Sequence, residues 1–127
     1  MKLLIVDDSL IVRKAIERNV RHPAITEIYQ ADNGLAALEA FHRHGPELVT
    51  MDLTMPHLDG LGCLREIQNS GRPTSILVIS ALNSHRTAME AVARGACGFI
   101  VKPFTAQELA EAVNDLVLHA RENGAGS

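Results

Sequence analysis

Apolar runs recur along the chain, and most of them stop at a residue able to do chemistry. Leu3 to Val6 stops at Asp7 and Asp8; Leu48, Val49 and Met51 stop at Asp52; Ile76 to Ile79 deliver Ser80 and Ala81; Phe99 to Val101 ends at Lys102-Pro103. Short apolar, β-branched runs bounded by turn residues predict strands buried on both faces. Ile25 to Ala31 carries a weaker strand signal. Helical periodicity fills the intervals. After Ser9, Val12, Ile16 and Val20 recur at i+4 with Ala15 beside them, while Arg13, Lys14, Glu17 and Arg18 are expected to face outward, until His22-Pro23 closes the helix. Asn33-Gly34 opens a second helix with Ala37, Leu38 and Phe41 on one face, stopped by Gly45-Pro46. Leu61, Leu64 and Ile67 mark a third, which runs out in the turn cluster from Asn69 to Pro73. Ser84 is the expected N-cap of a fourth, with Ala88, Val92 and Ala96 at i+4. Thr105 and Glu108 have the spacing of a capping box before a last helix striped by Leu109, Val113, Leu116, Val117 and Ala120.

Strands that alternate with helices imply a parallel sheet covered on both sides, because successive parallel strands need right-handed helical crossovers. The expected fold class is therefore a three-layer α/β/α sandwich on a five-stranded parallel sheet. A length of 127 residues suits one domain, expected over residues 1–122, with 123–127 as a flexible tail. The net charge of -3 and the lack of a Lys/Arg run argue against a nucleic-acid or anionic-membrane surface. No window has the length and hydropathy of a membrane span, so the expectation is a cytoplasmic protein whose partners are proteins or small anions. Cys63 and Cys97 lie among apolar or small residues and are expected to be buried, reduced thiols. Met51, Met55 and Met89 are expected as packing residues, and the histidines as scattered surface residues without zinc-ligand spacing.

In open parallel sheets, ligands bind at the C-terminal mouth of the strands, where the covering helices leave polar groups room to emerge. That mouth should gather Asp7, Asp8, Asp52, Ser80 and Lys102. Two carboxylates about 4 Å apart repel by roughly 4 kcal/mol at an effective dielectric of about 20, so the cluster calls for cations. Lys102 can offset one charge, and Mg²⁺, a hard cation that takes oxygen ligands and retains water, suits the remainder. A metal, a hydroxyl and a lysine around a carboxylate fit a transient phosphoryl group, whose peripheral oxygens need electropositive partners. Asp52 would be its nucleophile.

Val6 to Ser9 (VDDS), Met51 to Gly60 (MDLTMPHLDG), Ser80-Ala81 and Lys102 to Phe104 (KPF) together resemble the response-regulator receiver domains, and among these the stand-alone chemotaxis regulators of CheY type. The resemblance covers residues 1 to 121. It implies a flavodoxin-like fold with strand order 2-1-3-4-5. It implies Asp52 as phosphoacceptor, Asp8 and Asp52 as direct Mg²⁺ ligands, Asp7 acting largely through a bound water, and the backbone carbonyl of Thr54 as a further ligand. Ser80 and Lys102 would each meet a phosphoryl oxygen, and the Lys102-Pro103 bond would be cis. The implied switch moves Ser80 toward the phosphate and turns the aromatic three positions before the lysine, here Phe99, inward. Phe99 lacks the hydroxyl of a tyrosine, and the resemblance implies that Thr54 and Leu82 flank the attack path, where they can tune phosphate lifetime.

The implied phosphodonor is a histidine kinase. The implied readout is a protein target, such as the flagellar motor switch or a downstream phosphotransfer protein, on the face formed by the fourth helix, last strand and last helix, with a phosphatase as a further partner. The family reading makes the chain a signalling phosphoprotein rather than an enzyme acting on other substrates. A phosphorelay intermediate is an alternative. A haloacid-dehalogenase-type phosphatase would carry a second acid two residues after its nucleophile, where Thr54 stands, and a cap insertion that is missing here. A flavin module would need an electropositive phosphate cradle, which Asp7 and Asp8 would oppose.

Overall fold

In the computed structural model, residues 1–53, 55, 59–81 and 85–123 are described, without the side chain of His85. The elements run β1 (Lys2–Val6), α1 (Leu10–Asn19), β2 (Glu27–Ala31), α2 (Gly34–His44), β3 (Leu48–Met51), α3 (Gly60–Asn69), β4 (Ser75–Ser80), α4 (His85–Ala93), β5 (Gly98–Val101) and α5 (Ala106–Glu122). The strands form a five-stranded sheet in the order β2-β1-β3-β4-β5, parallel at every pairing. This is the flavodoxin-like three-layer sandwich that the alternation and the family resemblance imply.

Alternation along each strand divides the core in two. Leu4, Val6, Val49, Met51, Ile76 and Val78 meet Ala37 and Phe41 of α2, Cys63, Leu64 and Ile67 of α3, and Ala91 of α4. Leu3, Ile5, Leu48, Leu77 and Ile79 meet Ile16 and Val20 at α1 and the whole apolar stripe of α5. A strand residue cannot face both layers, so strands read as continuously apolar are needed to feed both. Thr50, Ser75 and Ser80 are the buried polar residues of these strands, and the Thr50 hydroxyl has no hydrogen-bond partner among the described residues.

Local chemistry sets the helix ends. Ser9 and Asn33 cap α1 and α2 through side-chain acceptors for Val12 and Ala36 N–H. Thr105 and Glu108 form both bonds of the capping box. Gly45 ends α2 in the left-handed region, at φ 59°.

Several expectations need correction. Val92 and Met89 on α4 are 55% and 60% exposed. Among the described side chains of that helix Ala91 is the buried one, and Ala96 follows it inward, because α4 covers the end of the sheet with its narrow alanine edge. Cys97 is exposed, whereas Cys63 is buried; both are free thiols. β2 begins at Glu27, after Ile25. Arg13 does not simply face outward: it is half-buried and reaches back to the end of β1. The expected Ser84 cap and residues 124–127 of the expected tail lie outside the described residues.

Candidate functional site

The last ladder bonds of the sheet fix the site's backbone. Val6 and Met51 are register partners on β1 and β3, so the residues that follow them, Asp7 and Asp52, emerge side by side. Asp7 N–H donates to the Ala31 carbonyl at 3.1 Å, and Asp52 N–H to the Val6 carbonyl at 2.9 Å. On the other side, Lys102 N–H donates to the Ser80 carbonyl at 2.9 Å, which ties the end of β5 to that of β4. Ser80 is fully buried at the mouth.

β5 stands two strands from β3 and three from β1, roughly 10 and 14 Å at ordinary strand spacing. Only a long side chain can bridge that gap, and the Lys102 ammonium does so. Its Nζ lies 2.5 Å from Asp7 Oδ2 and 3.6 Å from Asp52 Oδ2. Asp7 and Asp52 are 1% and 4% exposed, whereas Asp8 is exposed. Carboxylate oxygens of Asp7, Asp8 and Asp52 all lie within 4.8 Å of one another. Octahedral Mg²⁺ holds oxygens at about 2.0–2.1 Å, which places ligand atoms about 3 to 4 Å apart. The oxygens gather close to that spacing, they are hard donors, and Asp8 is exposed, on the side where water or a phosphoryl oxygen would complete the shell. Three carboxylates, two of them ion-paired to one ammonium, also leave about two negative charges for a divalent ion to neutralise.

The model of the response regulator receiver domain matches residues 3–114. The chain belongs to the response-regulator receiver family. As a receiver it is 38% identical over 113 residues to chemotaxis protein CheY of Bacillus subtilis (strain 168), covering 89% of this chain and 94% of that protein. It is 34% identical to chemotaxis protein CheY of Thermotoga maritima, with 89% and 94% covered. Among solved structures it resembles the CheX-CheY-BeF3-Mg²⁺ complex from Borrelia burgdorferi, with a TM-score of 0.86, 29% identity, and 92% of this chain and 89% of that one covered. Receiver domains bind Mg²⁺ at an acidic pocket, take phosphoryl groups from histidine kinases and bind protein targets.

The remaining expected residues of this receiver are placed less centrally. Phe99 is half-buried on β5 and packs against the core layer that contains α4. The Lys102-Pro103 peptide is cis. Thr54 and Leu82 lie outside the described residues. The histidines are not all loose surface groups: His119 Nδ1 is 2.8 Å from the buried Ser75 hydroxyl at the opposite end of the sheet. Asp7 is more constrained than a simple water-mediated ligand would require, since Oδ1 accepts from Ser9 N–H at 2.9 Å while Oδ2 takes Lys102. Arg13 was missed as a site neighbour. Its Nη1 donates to the Asp7 main-chain carbonyl at 2.7 Å, and the available signal was its position one turn into the helix that starts beside the acids. Among the described residues, no helix is long and apolar enough to cross a membrane.

Proposed function

We propose that the chain, with residues 1–122 as its receiver unit, is a cytoplasmic phospho-switch in which Asp52 accepts a phosphoryl group from a histidine kinase. The observation that carries this reading is the buried Asp52 carboxylate with the Lys102 ammonium 3.6 Å away and the Asp7 and Asp8 oxygens close by. An Asp52 oxygen attacks the phosphorus of a phosphohistidine in line, and the P–O bond forms as the P–N bond breaks. The electron pair leaves with the imidazole, which takes up a proton. Lys102 offsets charge gathering on one phosphoryl oxygen, and the Ser80 hydroxyl donates to another. Asp8, Asp52 and the Thr54 carbonyl would hold Mg²⁺ directly, with Asp7 acting through water because both its oxygens are already engaged. When bound, Mg²⁺ supplies charge neutralisation at the phosphoryl oxygens.

The added charge of about -1.5 to -2 biases the Ser80 loop and Phe99 and so alters the surface of α4, β5 and α5. Met89, Val92 and Val101 are exposed apolar residues of those elements, which suits a protein target. The target we favour is a chemotaxis component such as the flagellar motor switch, on the strength of the likeness to CheY proteins over nearly their full length. A downstream phosphotransfer protein is the runner-up.

Intact-protein mass after treatment with acetyl phosphate tests the first step. One phosphoryl mass is expected with Mg²⁺, none with a chelator and none on Asp52→Asn. Addition to Asp52→Asn, or none to the wild type even from phosphohistidine donors, would overturn the assignment.

A further inference from the structure

We infer that Arg13 is a positioning residue for the cation site, acting through the peptide that joins Asp7 to Asp8. The inference rests on reading the acidic cluster as a Mg²⁺ site. Beyond Val6 the chain leaves the sheet: Asp7 N–H makes the last bond to β2, and on the β3 side the last bond is made to the Val6 carbonyl. The Asp7 carbonyl therefore lies past the ladder, and the Arg13 guanidinium meets it at 2.7 Å. Arg13 is itself held at both ends. Its N–H bonds the Ser9 carbonyl at 3.0 Å within α1, and its Nε donates to Gln30 Oε1 on β2 at 3.1 Å. Gln30 in turn donates to Glu17 of α1.

The Asp7-Asp8 peptide plane sets the direction in which the Asp8 side chain leaves the backbone. Asp7 has two further anchors, Ser9 N–H and Lys102, but Asp8 is exposed and packing does not hold it. Arg13 thus aims the least constrained of the three carboxylates, as outer partners of metal ligands commonly do.

The sign of the effect separates this role from simple charge. A guanidinium near an acidic site repels a divalent cation, so removing it should tighten Mg²⁺ binding if charge alone matters. Positioning predicts the opposite.

The test is Mg²⁺ affinity of the full chain by isothermal titration calorimetry, with melting by circular dichroism as a check on folding. Arg13→Ala is expected to weaken binding by about tenfold, the lower end of the range for outer-shell partners. Arg13→Lys should recover part of the loss, since one ammonium can still reach the carbonyl. Arg18→Ala, which removes the same charge from an exposed position on α1, should leave affinity unchanged or slightly tighter. Gln30→Ala removes no charge and should show a smaller loss of the same sign, which keeps the test decisive if Arg13→Ala folds poorly. Wild-type binding matched or exceeded by both Arg13→Ala and Gln30→Ala would overturn the positioning role alone. Absence of Mg²⁺ binding by the wild type would overturn both this role and the metal reading beneath it.

Discussion

At the residue scale, the mouth of the sheet shows why particular side-chain types occupy particular strand ends. Short carboxylates suffice on β1 and β3 because those strands are neighbours, whereas β5 contributes from a distance and needs the reach of Lys102. The two cysteines show how the same residue type diverges with its surroundings. Cys63 is sealed between α3 and the sheet, and burial pushes its thiol up to about 12, with Glu66 and Asp59 adding to the rise. Cys97 is exposed but borders a cavity beside α5, and desolvation raises its thiol as well. Only the thiolate reacts, so a raised pKa leaves less of it at a given pH. Iodoacetamide on the native protein should therefore add one group, at Cys97, and two after denaturation. The Cys97 rate should keep climbing with pH through and beyond the ordinary thiol range; a plateau within that range, or prompt labelling of Cys63, would contradict the placement.

At the element scale, the site depends on how closely α3 approaches β3. Gly60 opens α3, and its N–H donates to the Leu53 carbonyl at 3.1 Å. A Cβ there would lie 2.2 Å from the Asp52 carbonyl oxygen and 2.5 Å from Leu53 Cα. Both are backbone atoms of the segment that carries Asp52, so the clash cannot be relieved by turning a side chain. Gly60→Ala should cost about 1–3 kcal/mol in urea unfolding and slow phosphoryl uptake by shifting Asp52. A change below about 0.5 kcal/mol, the range of an ordinary surface substitution, would show that the contact is looser than described. The capping box of α5 and the Asn33 cap of α2 work locally, whereas Ser9, the cap of α1, also donates its N–H to Asp7 at the end of β1.

At the scale of the whole molecule, stability and function meet in the acidic mouth. Two of its carboxylates are buried and share one ammonium, so the metal-free protein carries repulsion that a divalent ion relieves. A ligand that binds only the folded state stabilises it by mass action, about 2.7 kcal/mol at a hundred times its dissociation constant. Urea midpoints should therefore rise with Mg²⁺ for the wild type. They should rise far less for Asp8→Asn, a substitution at the exposed member of the cluster that spares the core. A flat wild-type response would mean that the cluster does not bind the ion. The same layering that strains the mouth keeps it intact, because α1 and α5 on one face and α2, α3 and α4 on the other hold the strands in register.

The amino-acid sequence by itself determined the strand cores, the capping box of α5, the parallel sandwich and the set of polar residues at the strand ends. Each of these follows from near-neighbour periodicity and local hydrogen bonding, as with the i+4 stripe of α5 and the Thr105–Glu108 box. Only the tertiary structure decided which of those polar groups touch. Lys102 meets Asp7 across 95 residues of chain, and Arg13 leaves its helix face to bind the Asp7 carbonyl. It also decided that α4 turns Ala91 inward and leaves Met89 and Val92 outside. Those outcomes depend on strand order, register and the direction from which a helix meets the sheet, which periodicity within one segment does not encode.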